Sequence, residues 1–187
     1  GLSVKWACCN VGASSPEGYG SYFAWGETSS KSDYDWDTYK YSRGSYDELT
    51  KYCNDSDWGY NGFTDNKTTL DLIDDAARAN WGGSWRMPTR AELDELKTKC
   101  TWTWTTLNGV KGYKVTSKSN GNSIFLPAAG DRNGTDVDNA GSSGFYWSNS
   151  LYSSDPIYAY CLLFNSGGVD WYGPCRIYGN SVRAVCP

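Results

Sequence analysis

Met87-Pro88-Thr89-Arg90-Ala91-Glu92-Leu93-Asp94-Glu95-Leu96-Lys97-Thr98-Lys99-Cys100-Thr101-Trp102-Thr103-Trp104 changes its hydrophobic period in mid-stretch. Thr89 is placed to cap a helix and Glu92 to reach back to it, the capping-box spacing that satisfies two orphan N–H groups. Leu93 and Leu96 supply one apolar face, and Cys100 lies one further turn along it. From Cys100 to Thr106, Thr and Trp then alternate with the period of a strand. Working outward, Asn108-Gly109 is a turn dipeptide. Gly112 to Thr116 and Ser123 to Leu126 are two further strands, joined by the turn Ser119-Asn120-Gly121. Upstream, Leu70 to Ala79 holds a short helix stopped by Asn80 and the pair Gly82-Gly83. Residues 12–35 are Gly/Ser-rich loops carrying Tyr22, Phe23 and Trp25, and residues 33–66 are polar and irregular. Leu2 to Ala7 alternates as a half-buried strand does. At the far end Ala159 to Asn165, Gly168 to Trp171 and Ser181 to Val185 have strand character. Short antiparallel strands, one or two helices and long loops define an α+β class, expected as a single domain over residues 1–187.

The 187 residues suffice for one domain with a core. Lys plus Arg number 17 and Asp plus Glu 21, a net charge of −4, which is the wrong sign for a nucleic-acid binder. There is no His, which removes His general bases, Ser-His triads and His-ligated metals together. No apolar run approaches the ~20 residues of a membrane helix, so no membrane insertion is expected. The chain begins at Gly1 without Met or signal peptide and is expected to be a processed or excised piece. Aromatics are abundant: 15 Tyr, 10 Trp and 5 Phe. The seven Cys are an odd number, and no Cys-x-x-Cys is present. Cys53 and Cys100 are a possible disulfide; buried free thiols are the alternative. Composition shifts near residue 138. The last 49 residues carry four charged side chains, Asp155, Asp170, Arg176 and Arg183, against 34 before them.

The strings GLSVKWACCNVGA, YFAWGET, NWGGSWRMPTRAELDEL, FLPAAG, GFYWSNS and SVRAVCP occur in this order. Together they resemble the Fibrobacter major paralogous domain of Bacteroidetes surface proteins. That family is similar to the formylglycine-generating-enzyme type of C-type lectin fold. The last ~50 residues also resemble the variable region of diversity-generating retroelement proteins, which display diversified ligand-binding side chains on this fold. The resemblance implies a looped chain with its first and last strands paired. It also implies a scaffold over residues 1–138 and a ligand-display region over residues 139–187.

Within that region the period-2 rule puts Tyr160, Leu162 and Phe164 on one strand face. If these pack inward, Cys161 and Leu163 point outward. Asp170-Trp171-Tyr172-Gly173-Pro174-Cys175-Arg176-Ile177-Tyr178 loses strand patterning at Gly-Pro and is expected to be a loop. Leu151-Tyr152 and Ile157-Tyr158 precede it. The expected ligand-binding positions are therefore Leu151, Tyr152, Ile157, Tyr158, Cys161, Leu163, Asp170, Tyr172, Cys175, Ile177 and Tyr178. Tyr160, Phe164, Trp147 and Trp171 are expected to be core.

The expected function is adhesion or receptor binding, with a protein or glycan on another cell or host as ligand. The expected setting is extracellular, on a bacterial surface or a phage particle, with no catalysis and no cofactor or metal. A carbohydrate-binding lectin is the first alternative, although the Glu-Pro-Asn string of calcium-dependent lectins is absent. Asp131 to Asp138 has alternating oxygen ligands, but lacks the bidentate Glu and flanking helices of a calcium loop, and is expected to be an Asx-rich turn. A formylglycine-generating-type oxidase is the second alternative. Its close C-terminal cysteine pair is missing, because Cys175 and Cys186 are eleven positions apart. Asp74-Asp75 and Asp94-Glu95 are expected on helix surfaces, each pair pointing apart. Arg86 is expected in an ion pair or stacked on Trp85.

Overall fold

The computed structural model describes residues 1–152 and 154–187. It is an α+β architecture of short antiparallel strands. Strand β1 (Lys5–Trp6) pairs antiparallel with β10 (Val185–Cys186). This closes the chain on itself, in the arrangement the family resemblance implied. Helix α1 (Ala76–Trp81) follows a 3-10 turn over Leu72–Asp74, so the helix expected over residues 70–79 is split in two. Helix α2 (Arg90–Lys99) starts at the capping box: the Glu92 N–H donates to Thr89 Oγ1 at 3.1 Å, and the Thr89 N–H donates to Glu92 Oε2 at 2.9 Å. Arg86 clamps the same Glu92 with two guanidinium contacts of 2.8 and 2.6 Å, the ion-pair option. The Trp102 indole donates to Leu96 O at 3.2 Å, covering a carbonyl in the last turn of α2.

Helix α2 leads directly into β2 (Cys100–Leu107), which forms a three-stranded sheet with β3 (Val110–Ser117) and β4 (Ser123–Pro127). A small hairpin follows, β5 (Asp131–Asn133) with β6 (Asp136–Asp138), where an Asx-rich turn was expected. The second three-stranded sheet joins β7 (Ser143–Leu151), β8 (Ala159–Asn165) and β9 (Gly168–Tyr172). Strand patterning therefore survives through Tyr172 and the loop begins at Gly173. The sequence reading missed β7. Its run Gly144 to Asn149 is buried at every position, so it shows no alternation for the period-2 rule to detect.

Burial of both sheet faces is the organising feature. One face carries Tyr146, Leu162 and Phe164 into a cluster with Leu93, Leu96, Tyr113, Val115 and Leu126 from α2 and the first sheet. The other face carries Phe145, Trp147 and Cys161 into a cluster built with Phe23, Ala24, Trp25, Tyr34 and Tyr39 from the long N-terminal loops. Those loops are held by isolated backbone bridges, such as Phe23 with Asn180 and Tyr34 with Gly134, and by side chains. The indoles of Trp25 and Trp147 donate to Ser148 O at 2.9 Å and to Phe23 O at 2.7 Å.

Two buried arginines lock the loops to the C-terminal segment. Arg176 donates to Tyr39 Oη at 2.7 Å and to the carbonyls of Tyr52, Pro156 and Lys51 at 2.9, 3.0 and 2.8 Å. Arg183 donates to Asn10 Oδ1, Ala7 O and Phe125 O at 2.9, 3.0 and 2.8 Å. The last 49 residues are thus part of the scaffold as well as its edge.

Asp74 and Asp75 are both buried, which corrects their expected surface placement. They do point apart. Asp75 caps α1, accepting from the Arg78 N–H at 2.9 Å, and also accepts from the Met87 N–H at 2.8 Å. Asp74 accepts from the hydroxyls of Tyr41 and Tyr52 and from the ammonium groups of Lys40 and Lys51. The Lys51 ammonium and the two hydroxyls are the main influences that hold its carboxyl well below the usual carboxylate range, against the opposing effect of burial. All seven cysteines are free thiols, with Cys53 and Cys100 buried separately.

Candidate functional site

Antiparallel register decides which aromatics meet at the C-terminal end. Trp147, Cys161 and Tyr172 lie opposite one another across the sheet, as do Tyr146, Leu162 and Trp171. Directly opposed residues share a face. Strand β9 is one edge of its sheet, and the packing that covers the other edge, β7, and the central β8 thins out over it. Trp171 is half-buried and Tyr172 is 44% exposed. A register irregularity between Trp147 and Leu151 turns the end of β7 away from β8. The Leu151 N–H then donates to Thr68 O at 2.8 Å, and the Tyr152 N–H donates to Tyr158 O at 3.1 Å. Tyr158 bridges to Cys175, so Tyr152, Tyr158 and Cys175 arrive at one end of the sheet.

The rings there form a connected surface. Tyr152 lies 4.8 Å from Tyr160 and 6.3 Å from Tyr158 between ring centroids, and Tyr160 lies 6.0 Å from Trp171. Arg90, exposed at the first turn of α2, lays its guanidinium 3.9 Å above the Tyr160 ring and 5.3 Å from Trp171. Trp171 donates its indole N–H to Asp94 Oδ1 at 3.3 Å. Gly173 packs closely beside this group: a Cβ there would sit 3.0 Å from the Tyr152 ring. On the opposite side of β9, Tyr172 lies 6.2 Å from Phe145, and Tyr178 and Cys175 pack on the edge of the core.

Electrostatically this surface is polar but mostly neutral. Burial pushes the phenols of Tyr158, Tyr172 and Tyr178 up from their ordinary value, and the neighbouring Cys175 adds to it. Burial, then Asp155, raises the Cys175 thiol, so it is protonated at neutral pH and a poor nucleophile. Arg90 and Asp170 are the exceptions. The Trp171 N–H and the Lys97 ammonium, at 2.8 and 3.1 Å, hold the Asp170 carboxyl below the usual value.

The expected site residues divide into two groups. Tyr152, Tyr158, Leu163, Asp170, Tyr172, Cys175 and Tyr178 are half-exposed or exposed. Leu151, Ile157, Cys161 and Ile177 are buried, which corrects their expected accessibility. Cys161 was expected to point outward because its alternate neighbours point inward. It lies beneath the loop-built cluster instead, because the N-terminal loops cover this face of β8 at Cys161. Ile157 fills a small cluster with Leu49 and Cys53, and Ile177 anchors its loop in the main core.

Tyr160 and Trp171, expected inward, are half-exposed members of the aromatic surface. Phe164 and Trp147 are fully buried as expected. Arg90 was missed altogether. The helix start located it, but its neighbours Tyr160 and Trp171 are about 70 and 80 positions away in the chain.

Among the described residues, no three His, Cys, Asp or Glu side chains converge as a metal set would. No helix among them is long and apolar enough to cross a membrane. Comparison with protein-family models, curated proteins and solved structures gives no match to this chain.

Proposed function

We propose that this chain is a ligand-binding module of the C-type-lectin kind, acting in adhesion or receptor recognition outside the cell, on a bacterial surface or phage particle. Its ligand is a protein or glycan of another cell, and its role is binding rather than catalysis. The observation that carries this reading is the connected aromatic surface of Tyr152, Tyr158, Tyr160 and Trp171 with Arg90 stacked on it. Tyr, Trp and Arg are the side chains that dominate binding energy at interfaces, since they give wide amphipathic contact at small entropic cost. The pairing of β1 with β10 supports the looped fold that the family resemblance implies.

The test screens the chain against a glycan array and against displayed surface proteins, beside the variant Arg90→Ala. That side chain is exposed, so the melting temperature should stay within about 3 °C, the shift that ~1 kcal/mol produces at this size. Capture of the best ligand should fall at least tenfold, as for loss of a hot spot. Ligands held equally well by the variant would remove this surface from the function.

A further inference from the structure

A groove of about 890 Å³ lies on a different part of the surface, between the N-terminal segment and the sheet β2-β3-β4. None of the aromatic-surface residues lines it. Its walls are Leu2, Val4 and Trp6 on one side and Val115, Ile124 and Phe125 on the other. The volume lies within the range of small-molecule sites, which are mostly apolar with a few placed polar groups. The charge of the lining identifies the occupant. Among the described residues, the charged side chains that line the groove are Lys5 and Lys114, with no Asp or Glu, in a protein whose net charge is −4. Among the described residues neither ammonium group is within ion-pair distance of a carboxylate. By contrast Lys99, in the recess beside Leu2, is already paired with Glu95 at 2.6 Å.

We infer that this groove binds a single-chain amphiphile with a carboxylate head, a medium-chain fatty acid, with its acyl chain between Trp6 and Ile124 and its head near Lys5 and Lys114. Apolar walls favour the chain, and the unpaired lysines select the sign of the head. The site is independent of the proposed ligand-recognition surface.

Calorimetric titration of the intact chain with octanoate, decanoate and dodecanoate, each below its micelle concentration, tests it. The dissociation constant should tighten about fourfold per added methylene. Dodecanol and dodecyltrimethylammonium should bind at least tenfold more weakly than dodecanoate. The variant Lys5→Glu/Lys114→Glu, exposed at both positions, should weaken dodecanoate at least tenfold without moving the melting temperature by more than a few degrees. In the wild type, the indole ¹H–¹⁵N resonance that Trp6→Phe removes should shift on adding dodecanoate. Absence of saturable dodecanoate binding overturns the inference. Equal affinity for the cationic amphiphile, or indifference to both lysines, overturns it as well. Sedimentation as a dimer that the lysine variant dissociates, with no fatty acid bound, would assign the groove to a second copy instead.

Discussion

Arg176 shows how much of this molecule rests on single side chains. It is a buried cation with no carboxylate partner, neutralised by three carbonyls, the Tyr39 hydroxyl and the faces of Trp25, Tyr39 and Tyr52 at 5.2–5.9 Å. Burial pushes the Tyr39 phenol up to about 12 despite the guanidinium beside it, so this hydroxyl stays neutral and accepts the hydrogen bond. Arg176→Met keeps much of the side-chain volume and leaves four acceptors unsatisfied. It should destabilise the fold by at least about 3 kcal/mol, measured by urea unfolding. A loss below ~1 kcal/mol would mean that water satisfies those groups and that the arginine is not what ties the loops to the C-terminal segment. Sequence composition singled out Arg176 only as one of four charges in a charge-poor region. Its partners at Lys51 and Tyr52 lie more than a hundred positions away, so no local pattern identified its role.

Among the elements, α2 and β2 were the most legible. A capping box and a Thr-Trp alternation are properties of neighbours along the chain, and both appear as expected. Strand β7 was not legible, because a strand buried on both faces has no polar half. Its packing is tight at Gly144, where a Cβ would lie 2.2 Å from the Phe164 ring. That ring is wedged among Tyr146, Tyr113, Trp102 and Trp104 at 5.4–6.5 Å and has little room to yield. Gly144→Ala should therefore cost about 1–3 kcal/mol by overpacking. Adding Phe164→Leu to that variant should cost less than the same change in the wild type, and a double-mutant cycle reads the difference. Strict additivity would show that the pair does not clash. The aromatic surface follows from what covers each strand: the loop-built cluster and the first sheet bury β7, the other edge of the same sheet, and leave β9 partly open.

For the molecule as a whole, closure by β1 and β10 brings Lys5 opposite Cys186. A short Gly/Ser linker from Pro187 to Gly1, with new ends opened at the exposed Asn120-Gly121 turn, should give a folded circular permutant. Its melting temperature should lie within about 8 °C of the parent, the equivalent of ~2 kcal/mol. An unfolded permutant would show that continuity through β3 and β4 matters more than closure. The α+β class, the capped helix, seven of the strands and the surplus of Tyr and Trp were all readable from the chain alone, because each depends on composition or on near neighbours. Which of those aromatics reach solvent was not. The alternation over Tyr160 to Phe164 correctly separates the two faces of β8. Cys161 is nevertheless buried and Tyr160 half-exposed, because loops from the other end of the chain cover one face, while α2 and the first sheet only partly cover the other. Period determines that a strand has two faces; long-range packing determines which of them meets water.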